Sequence, residues 1–342
     1  MEWQQYKALL IAEAQAKGYS DEKLLETLDY ANNLINKSLP VIYDLKHLSL
    51  LVGYKTAYIQ RATHRSQFFY RRFEIRKKSG ATRVIFEPLP SLKEIQLWIL
   101  KNILNNCPIS KYAKAYVRKK SIKDAARFHK NQKYVVTIDI VQFFEFINYP
   151  TVLGKFILMG YSREVSTILT KLCCKNDSLP QGAPTSPSLS NIVFADIDFE
   201  ISEYCYANNI RYTRYADDLI FSGDLEPKLL IGKIEGILLN NGFILNNSKT
   251  RIMRPWQRQI VTGLIVNEKS KVQVPIEARR KLRQEMYYIN KFGLDSHLSY
   301  TKNYKAKYLI HLLGVAKYMF FINPNDTKVA NYIYQLESYI NN

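Results

Sequence analysis

A single carboxylate interrupts an otherwise apolar, largely β-branched run, Tyr134-Val-Val-Thr-Ile-Asp-Ile140. That composition reads as a strand central in a sheet, and Asp139 at its end is costly to bury unless its charge is compensated. Two more acids, Asp217-Asp218, occupy a tight turn between two further strands, Ile210 to Tyr215 and Leu219 to Ser222. Asp favours turns on its own account, and a strand-end Asp also serves as a helix cap or an ion-pair partner. Three acids on two adjacent strands are, in addition, a donor set for Mg²⁺, a hard ion that takes a few carboxylate oxygens and keeps room for water and phosphate. They could hold two such ions about 4 Å apart, the arrangement for in-line attack of a hydroxyl on an α-phosphate.

The charge of the chain agrees with a polyanionic partner. Lys and Arg outnumber Asp and Glu by 49 to 30 in 342 residues, a formal charge of +19. The excess is clustered: Arg61 to Arg83 holds eight basic residues against Glu74, and Lys111 to Lys133 holds nine against Asp124. Phe68, Phe69, Tyr70 and Phe73, then Tyr112, Tyr116 and Phe128, are interleaved with them. Cations for phosphates beside rings for bases suit a nucleic-acid channel, although some of these rings belong to a core. No apolar run approaches the roughly 20 residues of a spanning helix, and the first residues lack a signal-peptide pattern. Cys107, Cys173, Cys174 and Cys205 have neither zinc-site spacing nor a disulfide framework. They read as buried thiols of a cytoplasmic protein without membrane attachment.

Helices and strands mix without regular alternation. Ser20 caps a helix carrying Leu24, Leu25, Leu28, Ala31, Leu34 and Ile35. Phe73 and Ile75 alternate with charged residues, Ser79-Gly80 turns, and Val84 to Phe86 returns as a hairpin. Helices are expected over Leu92 to Leu104 and Val152 to Cys174. Another opens after the turn Pro180 to Pro187, with Ser186 as its cap and Pro187 in its first turn. Leu189, Val193, Ile197 and Ile201 recur along it. A helix near Lys228 to Asn240, a strand through Ile260 to Val266 and a basic helical tail from Pro275 complete an α+β pattern, a sheet backed by helices.

Five motifs in order resemble the reverse-transcriptase family, over about Leu39 to Pro324. Tyr215-Ala216-Asp217-Asp218 resembles its catalytic turn, and Asp139-Ile-Val-Gln-Phe-Phe144 its other metal-binding strand. Leu179-Pro-Gln-Gly-Ala-Pro-Thr-Ser-Pro187 resembles the loop and helix contacting nucleotide and template, and Gly242-Phe-Ile-Leu-Asn-Asn-Ser-Lys-Thr250 the motif whose Lys approaches the triphosphate. The basic hairpin is the fifth, its Arg83 placed where a fingers cation grips the triphosphate.

The resemblance implies a right-hand polymerase. Its parts would be an N-terminal helical region (1–55), fingers (56–134), an antiparallel palm (135–258) and a segment (259–342) that ends the palm and forms a helical thumb. It implies an RNA-directed DNA polymerase with two Mg²⁺ ions on Asp139, Asp217, Asp218 and the Ile140 carbonyl. Arg83 and Lys78, with Lys249, would meet the deoxynucleoside triphosphate. Gln181 would contact the nucleotide and template, and Phe144 would exclude the sugar 2′-hydroxyl. A core ring is the other reading of Phe144, and template contacts that of the cations.

Within the family the resemblance is to bacterial retron enzymes. Val261-Thr-Gly263 followed by Leu-Ile-Val-Asn267 resembles their hallmark. Leu39-Pro-Val-Ile-Tyr-Asp44 with His47 resembles their opening, and Gly314 with Asn323-Pro324 their thumb. Ala125-Ala-Arg-Phe-His129 keeps the His of their Asn-Ala-x-x-His but has Ala125 for the Asn. His129 reads as an RNA contact or as a structural histidine. The resemblance implies a structured non-coding RNA as template and primer, with synthesis from a guanosine 2′-hydroxyl, and a role in antiphage defence beside a separate effector protein. With no ribonuclease H domain expected, a host ribonuclease H would remove the template. Arg279, Arg280 and Arg283, near Tyr287 and Tyr288, read as an RNA-gripping helix face or as a solvated one. Other single-domain bacterial reverse transcriptases, of abortive-infection or diversity-generating type, and an inactive RNA-binding scaffold are the alternatives.

Overall fold

The computed structural model describes residues 3–76, 80, 82–302 and 305–341. The tip of the basic hairpin, with Lys77, Lys78 and Ser79, lies outside the described residues. Strands in chain order are β1 (Tyr70–Arg76), β2 (Thr82–Pro88), β3 (Tyr134–Asp139), β4 (Arg211–Tyr215), β5 (Asp218–Gly223), β6 (Arg251–Met253), β7 (Ile260–Val261) and β8 (Leu264–Ile265). With the helices between them they make an α+β protein. The chain divides into two compact units. One comprises Met1–Val117, Ile140–Glu200 and Ile237–Ile244; the other comprises Arg118–Asp139, Ile201–Gly236 and Leu245–Asn342.

The second unit is built on a four-stranded antiparallel sheet in the order β4-β5-β3-β6. β3 is interior, as its composition requires: Val135, Val136 and Ile138 are fully buried between β5 and β6. A helix, Ile122–Phe128, begins with a reciprocal cap between Ser121 and Asp124. Its Ala125 and Ala126 are fully buried. The expected strand Ile260 to Val266 is instead the hairpin β7–β8. Thr262 and Gly263 take φ of 47° and 84° between the paired Val261 and Leu264. Positive φ at both loop residues is the two-residue turn whose twist suits a hairpin. Four helices follow, Ile276–Phe292, Leu294–Thr301, Lys305–Ile322 and Thr327–Asn341. They share a core that includes Leu282, Met286, Ile289, Leu312, Met319 and Leu336.

The first unit carries the β1–β2 hairpin and most of the N-terminal helices. Ser20 accepts a hydrogen bond from Lys23 N and caps helix Asp21–Asn36. The expected helix Val152 to Cys174 is two helices, Tyr149–Met159 and Arg163–Cys173. Gly160 breaks it with φ of 110°, at a place where a β-carbon would come within 2.6 Å of Asn33 Nδ2. Ser162 then caps the second helix. Likewise the apolar repeat from Leu189 to Ile201 spans two helices, Ser186–Val193 and Ala195–Ala207. Ser186 does not cap the first of them; its hydroxyl donates to Pro180 O at 2.8 Å and ties down the preceding turn. Pro187 sits in the first turn as expected. Cys173, Cys174 and Cys205 are buried and Cys107 half-buried, all as free thiols. Among the described residues no helix is long and apolar enough to cross a membrane.

Candidate active site

The β4–β5 turn and the end of β3 converge by register. Tyr215 pairs with Asp218 around Ala216 and Asp217, and Asp218 pairs in turn with Asp139 across β5–β3. Directly opposed residues of an antiparallel pair bring their β-carbons to about 5 Å, and like charges there repel. Ala216 holds the left-handed φ of 59° inside the turn. A non-glycine residue stores about 1–2 kcal/mol there, strain that concentrates at working sites.

The compensation expected for Asp139 is present. The carboxylate is 8 % exposed, and Lys249 Nζ donates to both of its oxygens at 2.8 and 2.9 Å. Asn246 Nδ2 donates to Oδ1 at 2.9 Å, while Asn246 N donates to the Asp139 carbonyl at 2.8 Å. Turn bonds from Lys249 N and Thr250 N back to Asn246 O hold the loop that delivers both side chains. Among the described residues Asp218 forms no salt bridge. Burial first, then the charges of Asp217 and Asp139, push its carboxyl up to about 6 against the opposing pull of Lys249 and Arg251.

These groups fit a hard cation. Asp217 and Asp139 lie near enough to Asp218 to raise its carboxyl, and oxygen donors of this kind suit Mg²⁺. Among the described residues no three His, Cys, Asp or Glu side chains already stand gathered as a metal cage. Lys249 takes the cation's part on Asp139, and its side chain, 58 % exposed, can leave. The resemblance implies Lys249 near the triphosphate; in the structure its ammonium lies on Asp139. Asn246 lies in the quoted motif, but nothing in the sequence signalled its hold on Asp139.

The remaining site residues are distributed as follows. In the first unit, Gln181 O accepts from Phe86 N of β2 at 2.7 Å. Gly182, φ 117°, lies so close that a β-carbon would come within 2.7 Å of Ile85 Cγ2 and 2.8 Å of Phe86 O. Arg83 is exposed two residues before Ile85, and alternation puts both on one face of β2, so Arg83 and the Gln181 loop share that face. Phe143, not Phe144, fills the core, its ring 5.7 Å from Phe194 and 6.0 Å from Phe243. Phe144 is half-buried with its ring 6.4 Å from that of Tyr116. Ile140 is buried. Lys78 lies outside the described residues.

In the second unit, His129 is fully buried. Its ring nitrogens lie 2.7 Å from Ser222 Oγ on β5 and 2.8 Å from Thr213 Oγ1 on β4. Enclosed in this way it fits the structural reading, tying the helix end to β4 and β5 with no exposed surface. Arg279, Arg280 and Arg283 are exposed on helix Ile276–Phe292 and line one concavity.

The sequence profile of the family described as reverse transcriptase (RNA-dependent DNA polymerase) matches residues 75–313. The chain belongs to that family. Retron Ec86 reverse transcriptase of Escherichia coli is 31 % identical over 78 % of this chain and 84 % of its own length. Retron Ec83 reverse transcriptase, also of Escherichia coli, is 32 % identical over 77 % and 84 %. Among solved structures, telomerase from Candida albicans aligns with a TM-score of 0.46 at 12 % identity, over 79 % of this chain and 59 % of that one. Within its family the chain stands with the retron reverse transcriptases, and its activity is RNA-directed DNA polymerisation.

Proposed function

We propose that the protein copies part of a structured non-coding RNA into single-stranded DNA, starting from a guanosine 2′-hydroxyl of the same RNA. The observation that carries the chemistry is the cross-strand pair Asp139–Asp218 with Asp217 in the adjoining turn. Two Mg²⁺ ions held by these acids and the Ile140 carbonyl would sharpen the attacking hydroxyl and stabilise the departing pyrophosphate. Lys249 would exchange Asp139 for the oxygens of the triphosphate, where Arg83 and Lys78 add further charge. Phe144, left out of the core by Phe143, would press on the sugar and exclude ribonucleotides. Gln181, whose backbone is fastened to β2, would keep nucleotide and template in register. Arg279, Arg280 and Arg283 would hold RNA phosphates.

In this reading the basic hairpin belongs to the fingers (56–134), the four-stranded sheet to the palm (135–258), and the last helices to the thumb within 259–342, with a helical region (1–55) ahead. The protein would act in the cytoplasm in antiphage defence, with a host ribonuclease H trimming the template and a separate effector protein responding.

The test is to express the protein with its native flanking DNA, purify it and sequence the bound nucleic acid after ribonuclease, deoxyribonuclease and debranching treatments. The expected product is single-stranded DNA joined 2′–5′ to a structured RNA, present with the natural chain and absent with Asp217→Asn. DNA without a branch would overturn the priming. DNA made equally by Asp217→Asn would overturn the assignment of the acids.

A further inference from the structure

Two of the C-terminal helices flank an open concavity of about 320 Å³, lined by none of the residues assigned to the polymerisation chemistry. Its volume lies within the range of small-ligand sites, about 300–1,000 Å³. Its rim is basic: Arg279, Arg280 and Arg283 come from helix Ile276–Phe292, and Lys328 from the first turn of helix Thr327–Asn341. Its floor is apolar, made by Leu282, Met319 and Val329, all buried, beside the half-buried ring of Tyr332.

The acids nearby are already engaged. Asp326 accepts from Arg279 at 2.8 Å through one oxygen and from Val329 N at 3.3 Å through the other. Glu277, which feels Arg280, is bridged to Arg258 at 2.6 Å. Among the described residues Arg280, Arg283 and Lys328 form no salt bridge. A face that merely tracked a backbone would need cations along a ridge. Here cations surround a hollow with an aromatic and aliphatic bottom, which suits a ligand having one anionic end and one flat apolar end.

We propose that this hollow takes a single nucleotide of the RNA turned out of its stack, with phosphate on Arg280, Arg283 and Lys328 and base against Tyr332 over Met319 and Val329. The proposal rests on the reading that this helix face grips RNA. It adds that one nucleotide is recognised as a unit, because guanidinium forks hold phosphate while a ring can stack any base.

The experiment measures binding of adenosine monophosphate, adenosine and inorganic phosphate to the whole protein without divalent ions, by calorimetry or by shifts of side-chain NMR signals. Adenosine monophosphate is expected to bind roughly ten-fold tighter than either fragment. Tyr332→Ala should remove that advantage and leave phosphate binding unchanged, whereas Tyr332→Phe should keep it, as a stacking contribution predicts. Arg283→Gln should weaken adenosine monophosphate and phosphate together, and Asp217→Asn should change neither. Equal binding of monophosphate and phosphate, or an unaffected Tyr332→Ala, overturns the pocket. Affinity for the co-purified RNA, measured beside it on Arg279→Glu/Arg280→Glu/Arg283→Glu, separates the two readings. If RNA binding falls in that variant while adenosine monophosphate never binds the natural chain, the grip stands and the pocket fails. If RNA binding is unchanged, the grip itself is wrong and the pocket fails with it.

Discussion

Asp218 faces Asp139 across two strands with its carboxyl pushed up to about 6 from an ordinary 3.8, by burial first and then by the neighbouring acids. The folded protein therefore holds this proton more tightly than the unfolded chain does. The resulting penalty is complete above pH about 6 and is relieved as the pH falls from about 6 towards 4. At roughly 1.4 kcal/mol per unit, the penalty reaches at most about 3 kcal/mol. Asp218→Asn, which removes the charge at nearly constant volume, is expected to raise thermal stability at pH 8 in the absence of divalent ions, while abolishing DNA synthesis. The gain should shrink steadily between pH 6 and 4. Melting curves that show an equal gain at pH 8 and pH 4.5 would refute the repulsion account. The three acids were legible in the sequence because each stands against an apolar or tight-turn background. The Lys249–Asp139 pair was not, since its partners are 110 residues apart and a lysine's pairing leaves no periodic trace. His129 was legible as a choice between two roles. The positions of Thr213 and Ser222 in the folded sheet favour the structural one.

At the scale of elements, composition identified the strands better than it identified where chains turn. The apolar run of β3 placed it inside a sheet, and Phe73 to Phe86 formed the expected hairpin strands. Ile260 to Val266 looked like one strand because five of its seven residues are β-branched. Thr262 and Gly263 fold it back, and a threonine at positive φ is not predictable from propensity. Helix 152–174 ends early at Gly160, a left-handed C-cap with φ of 110° whose local signal the surrounding apolar run masks, and no β-carbon would fit there beside Asn33. Gly182 is held by a tertiary contact. Its loop is hydrogen-bonded to β2 through Gln181, and no β-carbon fits against Ile85 and Phe86. Gly182→Ala adds a clash to a φ of 117° that side-chain-bearing residues rarely adopt. It should cost about 1–3 kcal/mol and detach the loop from the hairpin. Steady-state assays are expected to show KM for the deoxynucleoside triphosphate rising at least several-fold, with a lowered melting temperature. An unchanged KM alongside lowered stability would mean that the clamp supports the fold and does not position Gln181.

For the whole molecule, 49 basic against 30 acidic residues guarantee an electrostatic share in any RNA affinity, but not a location for it. The C-terminal helix face makes that share divisible. Each phosphate neutralised releases counterions and steepens the fall of log K with log salt by about 0.7–0.9. Arg279 already spends its charge on Asp326 at 2.8 Å, whereas Arg280 and Arg283 are available. Replacing all three by Glu should therefore flatten the slope for the bound RNA by about 1.4–1.8, short of the roughly 2.1–2.7 that three equal contributors would give. Arg279→Gln alone should flatten it by much less than Arg283→Gln. The measurement is a filter-binding or fluorescence titration of the cognate RNA between roughly 50 and 300 mM salt, with melting curves confirming that each variant is folded. If the triple variant keeps the natural slope, the phosphates are held elsewhere, and the clustered charge between Arg61 and Lys133 becomes the surface to dissect. If Arg279→Gln flattens the slope as much as Arg283→Gln, the Asp326 pair opens on binding, and Arg279 joins the RNA at the expense of its bridge.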